Sequence, residues 1–194
     1  MNQAIADIPP QLAARLLRPT VRLSGAIDEA MVQSFLRQML PVLEVEGAIV
    51  VELYTGGGDP EVARRLADEI RLICGREGRE LWFLGKTLVA SAGATVMAAF
   101  ARERRWMTRD ATLFLHGRRM WRDVRLDGPL GSCRRVLEEI IADIDHGLRV
   151  EDETFADLVD GSDISLENVR QRAYAGWYLT AAQALDARLI GGVV

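Results

Sequence analysis

Ser91 is the residue whose setting most directly suggests chemistry. It stands in "ASAGA", residues 90–94, between a predicted strand ending near Gly85 and an apolar segment that predicts a buried helix. The first N–H groups of a helix are unpaired and carry partial positive charge. The amide of Ala92 is therefore placed to stabilise an oxyanion that forms beside the serine. The alternative is that Ser91 only caps the helix.

A run of glycines offers a second oxyanion donor. "TGGG", residues 55–58, follows "GAIVVELY", a run typical of a parallel strand buried on both faces. Open α/β sheets bind ligands at the carboxyl ends of such strands. We therefore expect the amide of Gly57 or Gly58 to face the site. A tight turn without further function is the alternative.

His116 is the candidate base. It ends the predicted strand "ATLFLH", one strand further along the chain than Ser91. A neutral imidazole within hydrogen-bond reach of a serine can take its proton, although a histidine at a strand end can also be purely structural. The other histidine, His146, stands in the charged stretch "ADIDHGLRVEDE", which predicts a surface position.

A phosphate-binding interpretation of "GKT", residues 85–87, fails on spacing. A phosphate loop needs a glycine five residues before the Gly-Lys pair, and Glu80 stands there. The segment between is an apolar strand pattern. We therefore expect no nucleotide cofactor.

Composition narrows the class of protein. The 194 residues are 49% apolar and 27% charged, with a formal net charge of −4, which indicates one soluble globular domain and neither a nucleic-acid nor a membrane partner. No signal peptide is recognisable, so we expect a cytoplasmic protein. Two histidines and two distant cysteines, Cys74 and Cys133, favour neither a metal site nor a disulfide.

The elements around these residues alternate between strand and helix. Helical periodicity follows the predicted strands at 21–25, 47–54 and 80–85, and again after about residue 131. Asp28 is placed to cap the first of these helices, and Thr180 with Gln183 forms a capping box before the last. This alternation predicts an α/β domain with a mostly parallel sheet.

The order of these motifs resembles the proteolytic subunit of Clp protease. "TGGG" matches that family's "SPGG", "ASAGA" matches "ASMGA", "FLHGR" matches "MIHQP", and "YLTAAQALDARLIG" matches "FLSAPEAVEYGLVD". The resemblance covers roughly residue 21 to the C-terminus. It implies that Ser91 is the nucleophile of a serine peptidase, that His116 is its base, and that the amides of Gly58 and Ala92 hold the oxyanion.

The resemblance also implies an architecture and partners. The fold would be the ClpP/crotonase-like spiral of repeated ββα units. Residues 1–20 would form a lead-in and 21–194 a single domain, with a protruding handle helix at about 124–160 that pairs two rings of a homo-oligomer. Peptides would be the substrates, without a cofactor. A Clp-type ATPase is the family's partner, but the family's full N-terminal axial-loop segment has no counterpart here.

One family residue is missing. The family's catalytic aspartate falls at Gly176 in "AYAGWYLTA". Asp127, Asp160 and Asp163 are candidate replacement acids, and a backbone carbonyl is another acceptor for the imidazole. We expect a weak Ser–His peptidase, which Gly176→Asp would speed up if the backbone there does not need a positive φ. The alternatives are a non-catalytic subunit and a crotonase-type acyl-CoA enzyme.

Overall fold

The computed structural model describes residues 10–44, 46–77 and 79–194. Its helices are α1 (Pro10–Leu17), α2 (Glu29–Met39), α3 (Pro60–Glu77), α4 (Ala92–Ala98), α5 (Leu130–Val159), α6 (Leu166–Ala175) and α7 (Ala181–Asp186). Its strands are β1 (Val21–Ser24), β2 (Ile49–Thr55), β3 (Leu81–Ala90), β4 (Arg105–Met107), β5 (Thr112–Leu115), β6 (Trp177–Thr180) and β7 (Gly192–Val193). The two predicted caps are present, at Asp28 and at Thr180 with Gln183.

The sheet is parallel except at one edge. Strands β1, β2, β3, β4 and β7 lie side by side in that order, all parallel. Strand β5 also pairs with β3 in parallel, and β6 adds to β5 in the antiparallel sense. The predicted mostly parallel α/β architecture is therefore confirmed.

Strand β3 is longer than the sequence analysis predicted, and on one side it pairs with two different strands. Its first half pairs with β4, and its second half, at 88–90, pairs with β5. Between the halves the register against β2 shifts, and Thr87 has a φ of 57°. The prediction that this strand ends near Gly85 is wrong, because the residues after the bend regain a hydrogen-bonding partner in β5.

Helix α4 lies in the core, as its apolar sequence predicted. Six of its residues are buried, and small side chains let it approach the sheet. A Cβ on Gly93 would lie only 2.6 Å from Thr55 Cγ2, so a glycine is needed at this contact. The close approach brings the N-terminus of α4 next to the glycine-rich turn after β2.

Helix α1 covers the opposite face of the sheet. Leu12 and Leu16 are buried against Val50, Leu84 and Trp106, in a cluster separate from the main core. The segment that the sequence analysis treated as a lead-in thus includes a packed helix, while residues 1–9 lie outside the described residues.

Helix α5 projects from the body as the handle. It has 30 residues and is therefore about 45 Å long, yet its fully buried residues, Val150, Phe155 and Leu158, all lie in its C-terminal third. The remainder exposes an apolar stripe formed by Val136, Leu137, Ile141, Ile144 and Leu148. Such a stripe is typical of a helix that packs against a partner.

A buried arginine fastens the handle to the body. The Arg105 guanidinium, on β4, donates to the carbonyls of Phe100 (2.8 Å), Leu158 (2.8 Å), Asp157 (3.1 Å) and Ala98 (3.2 Å). Several of these carbonyls stand at helix C-termini, where they lack intrahelical partners. Burial lowers the pKa of Arg105 to about 10, and the group remains a cation at neutral pH.

Candidate active site

Ser91 occupies a strained turn between β3 and α4. Its backbone has φ 55° and ψ −120°, a conformation that L-residues rarely adopt. Its N–H donates to Phe114 O (2.9 Å), which continues the pairing of β3 with β5. The hydroxyl makes no capping hydrogen bond, so the interpretation of Ser91 as a simple N-cap has no support in the structure.

The glycine-rich turn packs directly against this serine. A Cβ on Gly57 would lie 2.9 Å from Ser91 Cβ and 3.3 Å from Ser91 Oγ, and its φ is +113°. Buried Thr55 holds the turn, because its hydroxyl accepts the Gly57 N–H (3.0 Å) and donates to Gly57 O (3.1 Å). The Gly57 N–H therefore already has a partner, which makes Gly58 the better candidate for the oxyanion donor that the sequence predicted in this turn.

Gly58 and Ala92 have the better-placed amides. The backbone on either side of Gly58 bonds to Ile27, through Ile27 N to Gly57 O (3.0 Å) and Asp59 N to Ile27 O (2.9 Å). Within the described part of the chain, no acceptor takes the Gly58 N–H. Ala92 is the first residue of α4, where an N–H has no intrahelical partner.

Gly58 must be a glycine for a second reason. A Cβ there would lie 2.3 Å from Ile27 O and 2.5 Å from Ile27 N, so any side chain would push the two backbones apart. Substitution of Gly58 would thus disturb folding before it tested a catalytic donor.

His116 shares a cleft with these residues. Directly after β5, it lines a cleft of about 280 Å³ together with Gly58, Ser91, Ala92 and Glu151, which we call the serine cleft. Its Nδ1 lies 2.7 Å from Gly117 O. A carbonyl only accepts, so Nδ1 carries the proton, and Nε2 of the neutral ring is left as an acceptor. That tautomer is the one a general base needs.

The position of the missing aspartate has a backbone conformation that disfavours a side chain. Gly176 has a φ of +85°, and a Cβ there would lie 3.4 Å from the ring of Phe114. Phe114 is itself stacked on Tyr178, with ring centroids 4.0 Å apart. The condition attached to the Gly176→Asp expectation therefore fails, because the backbone here does use glycine's positive φ.

None of the three candidate replacement acids lines the serine cleft. Asp127 is exposed and 3.7 Å from Arg125, and Asp163 pairs with Arg188. Asp160 lines a different cleft, beside Arg105. The proposal of these aspartates as substitutes is not supported by their positions.

The acid that does reach the cleft is Glu151, on the handle helix. Its carboxylate accepts the backbone N–H of Arg118 and approaches Gly117, where a Cβ would lie 3.4 Å from Oε2. The sequence analysis missed it, because nothing in the charged handle sequence distinguishes this glutamate from its neighbours. Only the packing of α5 against the segment after β5 selects it.

Other sequence features lie away from the cleft. Lys86 of the "GKT" stretch is part of β3 and forms an ion pair with Glu52 (2.8 Å), so this stretch is not a phosphate loop. Cys74 and Cys133 are both free thiols, and burial raises the pKa of Cys74. Among the described residues, no helix is both long enough and apolar enough to cross a membrane.

Ser91 and the histidine that follows the neighbouring strand thus line one cleft with the amides of Gly58 and Ala92, the kinds of group that serine hydrolases use. The chain is 26% identical over 176 residues to the ATP-dependent Clp protease proteolytic subunit 2 of Treponema pallidum (strain Nichols), a match that covers 90% of this chain and 81% of that protein. A solved structure of a mutant ClpP1 from Listeria monocytogenes superposes with a TM-score of 0.72 at 18% identity and covers 95% of both chains. No family model matches.

These findings confirm the resemblance to the proteolytic subunit of Clp protease, in sequence through the first relative and in fold through the second. The fold is the predicted ClpP/crotonase-like α/β spiral with a protruding handle. The likeness points to the Clp-like serine peptidase family.

Proposed function

We propose that this protein is a Clp-like serine peptidase that hydrolyses peptide bonds by acyl transfer. The observation that carries the proposal is that Ser91 and His116 line one cleft, with the His116 Nδ1 proton bound to Gly117 O. The likeness to the Treponema pallidum subunit supports the same substrate class.

The proposed mechanism assigns one role to each of these groups. Ser91 Oγ attacks the peptide carbonyl carbon while His116 Nε2 takes the hydroxyl proton. The amides of Gly58 and Ala92 stabilise the oxyanion of the tetrahedral intermediate. The imidazolium then protonates the leaving amine, which departs and leaves an acyl group on Ser91. Water enters, loses a proton to His116, and releases the acid product from the serine.

Low activity is part of the proposal. In trypsin, a carboxylate that hydrogen-bonds the histidine directly is worth about 10,000-fold in rate. Here a neutral carbonyl accepts the imidazole proton, and the positive φ of Gly176 disfavours the family's acid at that position. We therefore expect slow hydrolysis of small peptides and esters.

Assembly is proposed to follow the family. The exposed apolar stripe on α5 supports a homo-oligomer in which handles meet, as stacked rings would require. We propose that residues 21–194 form a single domain, on whose sheet helix α1 packs, and that the protein is cytoplasmic. Partnership with a Clp-type ATPase remains a separate proposal, for which no contact surface is identified.

Hydrolysis of short fluorogenic peptides tests the function. Wild-type protein should release the fluorophore slowly, and Ser91→Ala and His116→Ala should each abolish the release. Equal rates in wild type and Ser91→Ala would reject the proposal.

The second candidate is a non-catalytic subunit of the same kind of homo-oligomer. The positive φ of Gly176 supports this candidate, because it disfavours an acid at the place of the family's aspartate. The Gly58 amide, which no acceptor in the described part of the chain takes, and the His116 tautomer support the enzyme. An assembled protein with no Ser91-dependent hydrolysis would decide for the non-catalytic subunit.

A further inference from the structure

One peptide group joins Glu151 to His116. The carbonyl of the bond between Gly117 and Arg118 accepts the His116 Nδ1 proton (2.7 Å). The N–H of the same bond donates to Glu151 Oε2. Carboxylate, peptide and imidazole thus form one continuous chain of hydrogen bonds.

Such a chain has an electrostatic consequence. A carboxylate that accepts a peptide N–H polarises the peptide and increases the negative partial charge on its oxygen. That oxygen then binds the Nδ1 proton more strongly and stabilises a positive charge on the ring. No proton needs to cross the peptide for this effect.

We propose that Glu151 is the positioning residue that takes over the task of the missing aspartate, acting on His116 through the Gly117–Arg118 peptide group. It holds the carbonyl against Nδ1, fixes the ring tautomer and supports the imidazolium. The catalytic part of this inference rests on the proposed peptidase function, while its effect on the tautomer does not.

The surroundings of Glu151 leave it available for this role. The guanidinium of Arg118 pairs with Glu61 (2.9 Å) and not with Glu151. The segment is held from the other side as well, because Gly117 N donates to Ala173 O (3.1 Å) on α6. The segment that carries this peptide group is therefore held between α5 and α6.

Glu151 also links the site to assembly. It stands on the same helix as the apolar stripe, at the end that is anchored by Val150 and Phe155. Displacement of α5 would withdraw the carboxylate from the peptide group.

The test uses three variants of the full-length protein. Glu151→Ala removes the acceptor. Glu151→Gln keeps an acceptor of the same shape without its charge. Glu153→Gln is the matched control, because Glu153 lies two residues further along α5 and pairs with Arg64 instead (3.4 Å). Circular dichroism and light scattering verify that the variants fold and assemble as wild type does.

The first readout needs no catalysis. Solid-state 15N spectra of histidine-labelled protein, in a His146→Ala background so that only His116 is labelled, report which ring nitrogen is protonated when the ring is neutral. We expect wild type and Glu153→Gln to show the Nδ1–H tautomer. Glu151→Ala should show a mixture, and Glu151→Gln a smaller change.

The second readout is kcat for peptide hydrolysis. Loss of a hydrogen bond to a charged group should lower the kcat of Glu151→Ala by about 10- to 100-fold. We expect a smaller decrease in Glu151→Gln and little change in KM in either variant. An unchanged His116 tautomer in Glu151→Ala would overturn the inference, whether or not hydrolysis is detected. A changed tautomer without any Ser91-dependent hydrolysis would uphold the effect of Glu151 on His116 and reject the proposed function.

Discussion

Ser91 holds a backbone conformation that only glycine adopts without cost. A non-glycine residue in such a region carries about 1–3 kcal/mol of strain. This backbone conformation directs the Ser91 side chain into the cleft at the start of α4, next to the amide of Ala92. A hydroxyl is thereby presented where an oxyanion can be bound.

We predict that Ser91→Gly is more stable than Ser91→Ala. Both variants lose the hydroxyl, but only glycine relieves the positive φ of 55°. After allowance for the greater freedom of glycine in the unfolded chain, the difference should be about 1 kcal/mol. Thermal unfolding of the two variants measures it, and equal stability would mean that the turn is not strained.

Gly57 is predicted to matter through its contact with Ser91. The Cβ of Gly57→Ala would lie 2.9 Å from Ser91 Cβ, which is too close, so the serine side chain must shift. A misplacement of about 1 Å costs about 100-fold in rate, and we expect a loss of that order in kcat. Gly56→Ala is the control, since a Cβ at Gly56 meets nothing within 4 Å. Comparable peptide hydrolysis by the two variants would show that the turn does not pack on the nucleophile.

The candidate site was only partly predictable at this scale. Ser91, His116, Gly58 and Ala92 could be found because each belongs to a motif beside a strand or helix end, and all four line one cleft. The role of Thr55 in occupying the Gly57 amide was not predictable. Nor was Glu151, because its contact joins residues far apart in the chain.

Helices and strands with a clear hydrophobic periodicity were predictable from the sequence. Strands that exist only because they pair with another strand were not. Strands β1 and β2 and helices α2 to α7 follow from the hydrophobic pattern and the caps. Strand β6 is only four residues long and exists through its antiparallel pairing with β5. The second half of β3 likewise depends on β5.

The segment from α6 into β6 is predicted not to accept the family's aspartate. Gly176→Asp should leave hydrolysis unimproved and destabilise the protein by about 1–2 kcal/mol, because a side chain at φ +85° is strained and meets Phe114. Gly176→Ala, which lacks the carboxylate, should lose similar stability in thermal unfolding. A Gly176→Asp protein that is faster than wild type would contradict this prediction.

The attachment of α5 is predicted to depend on Arg105. Arg105→Met leaves the four carbonyls without their donor and should cost about 2–4 kcal/mol in the free energy of unfolding. Arg109→Met, at an exposed position nearby, is the control. Denaturant titration compares the two, and an equal effect would show that the guanidinium does not fasten the handle.

At the scale of the whole molecule, the projecting handle predicts a symmetric assembly. Ile141 is 56% exposed in the isolated chain, which is costly for a large apolar side chain within a stripe. Ile141→Glu should convert the wild-type oligomer to smaller species in light scattering. Ala142→Glu, which adds the same charge beside the stripe, should not. A monodisperse wild-type monomer at micromolar concentration would contradict the assembly.

The central claim is that Ser91 is an activated nucleophile. Fluorophosphonate probes label a serine only where a base and an oxyanion site raise its reactivity. With mass spectrometry to identify the modified peptide, we expect the wild-type protein to be labelled at Ser91 and both Ser91→Ala and His116→Ala to stay unlabelled. Wild-type protein that assembles normally but takes up no label at Ser91 would contradict the account.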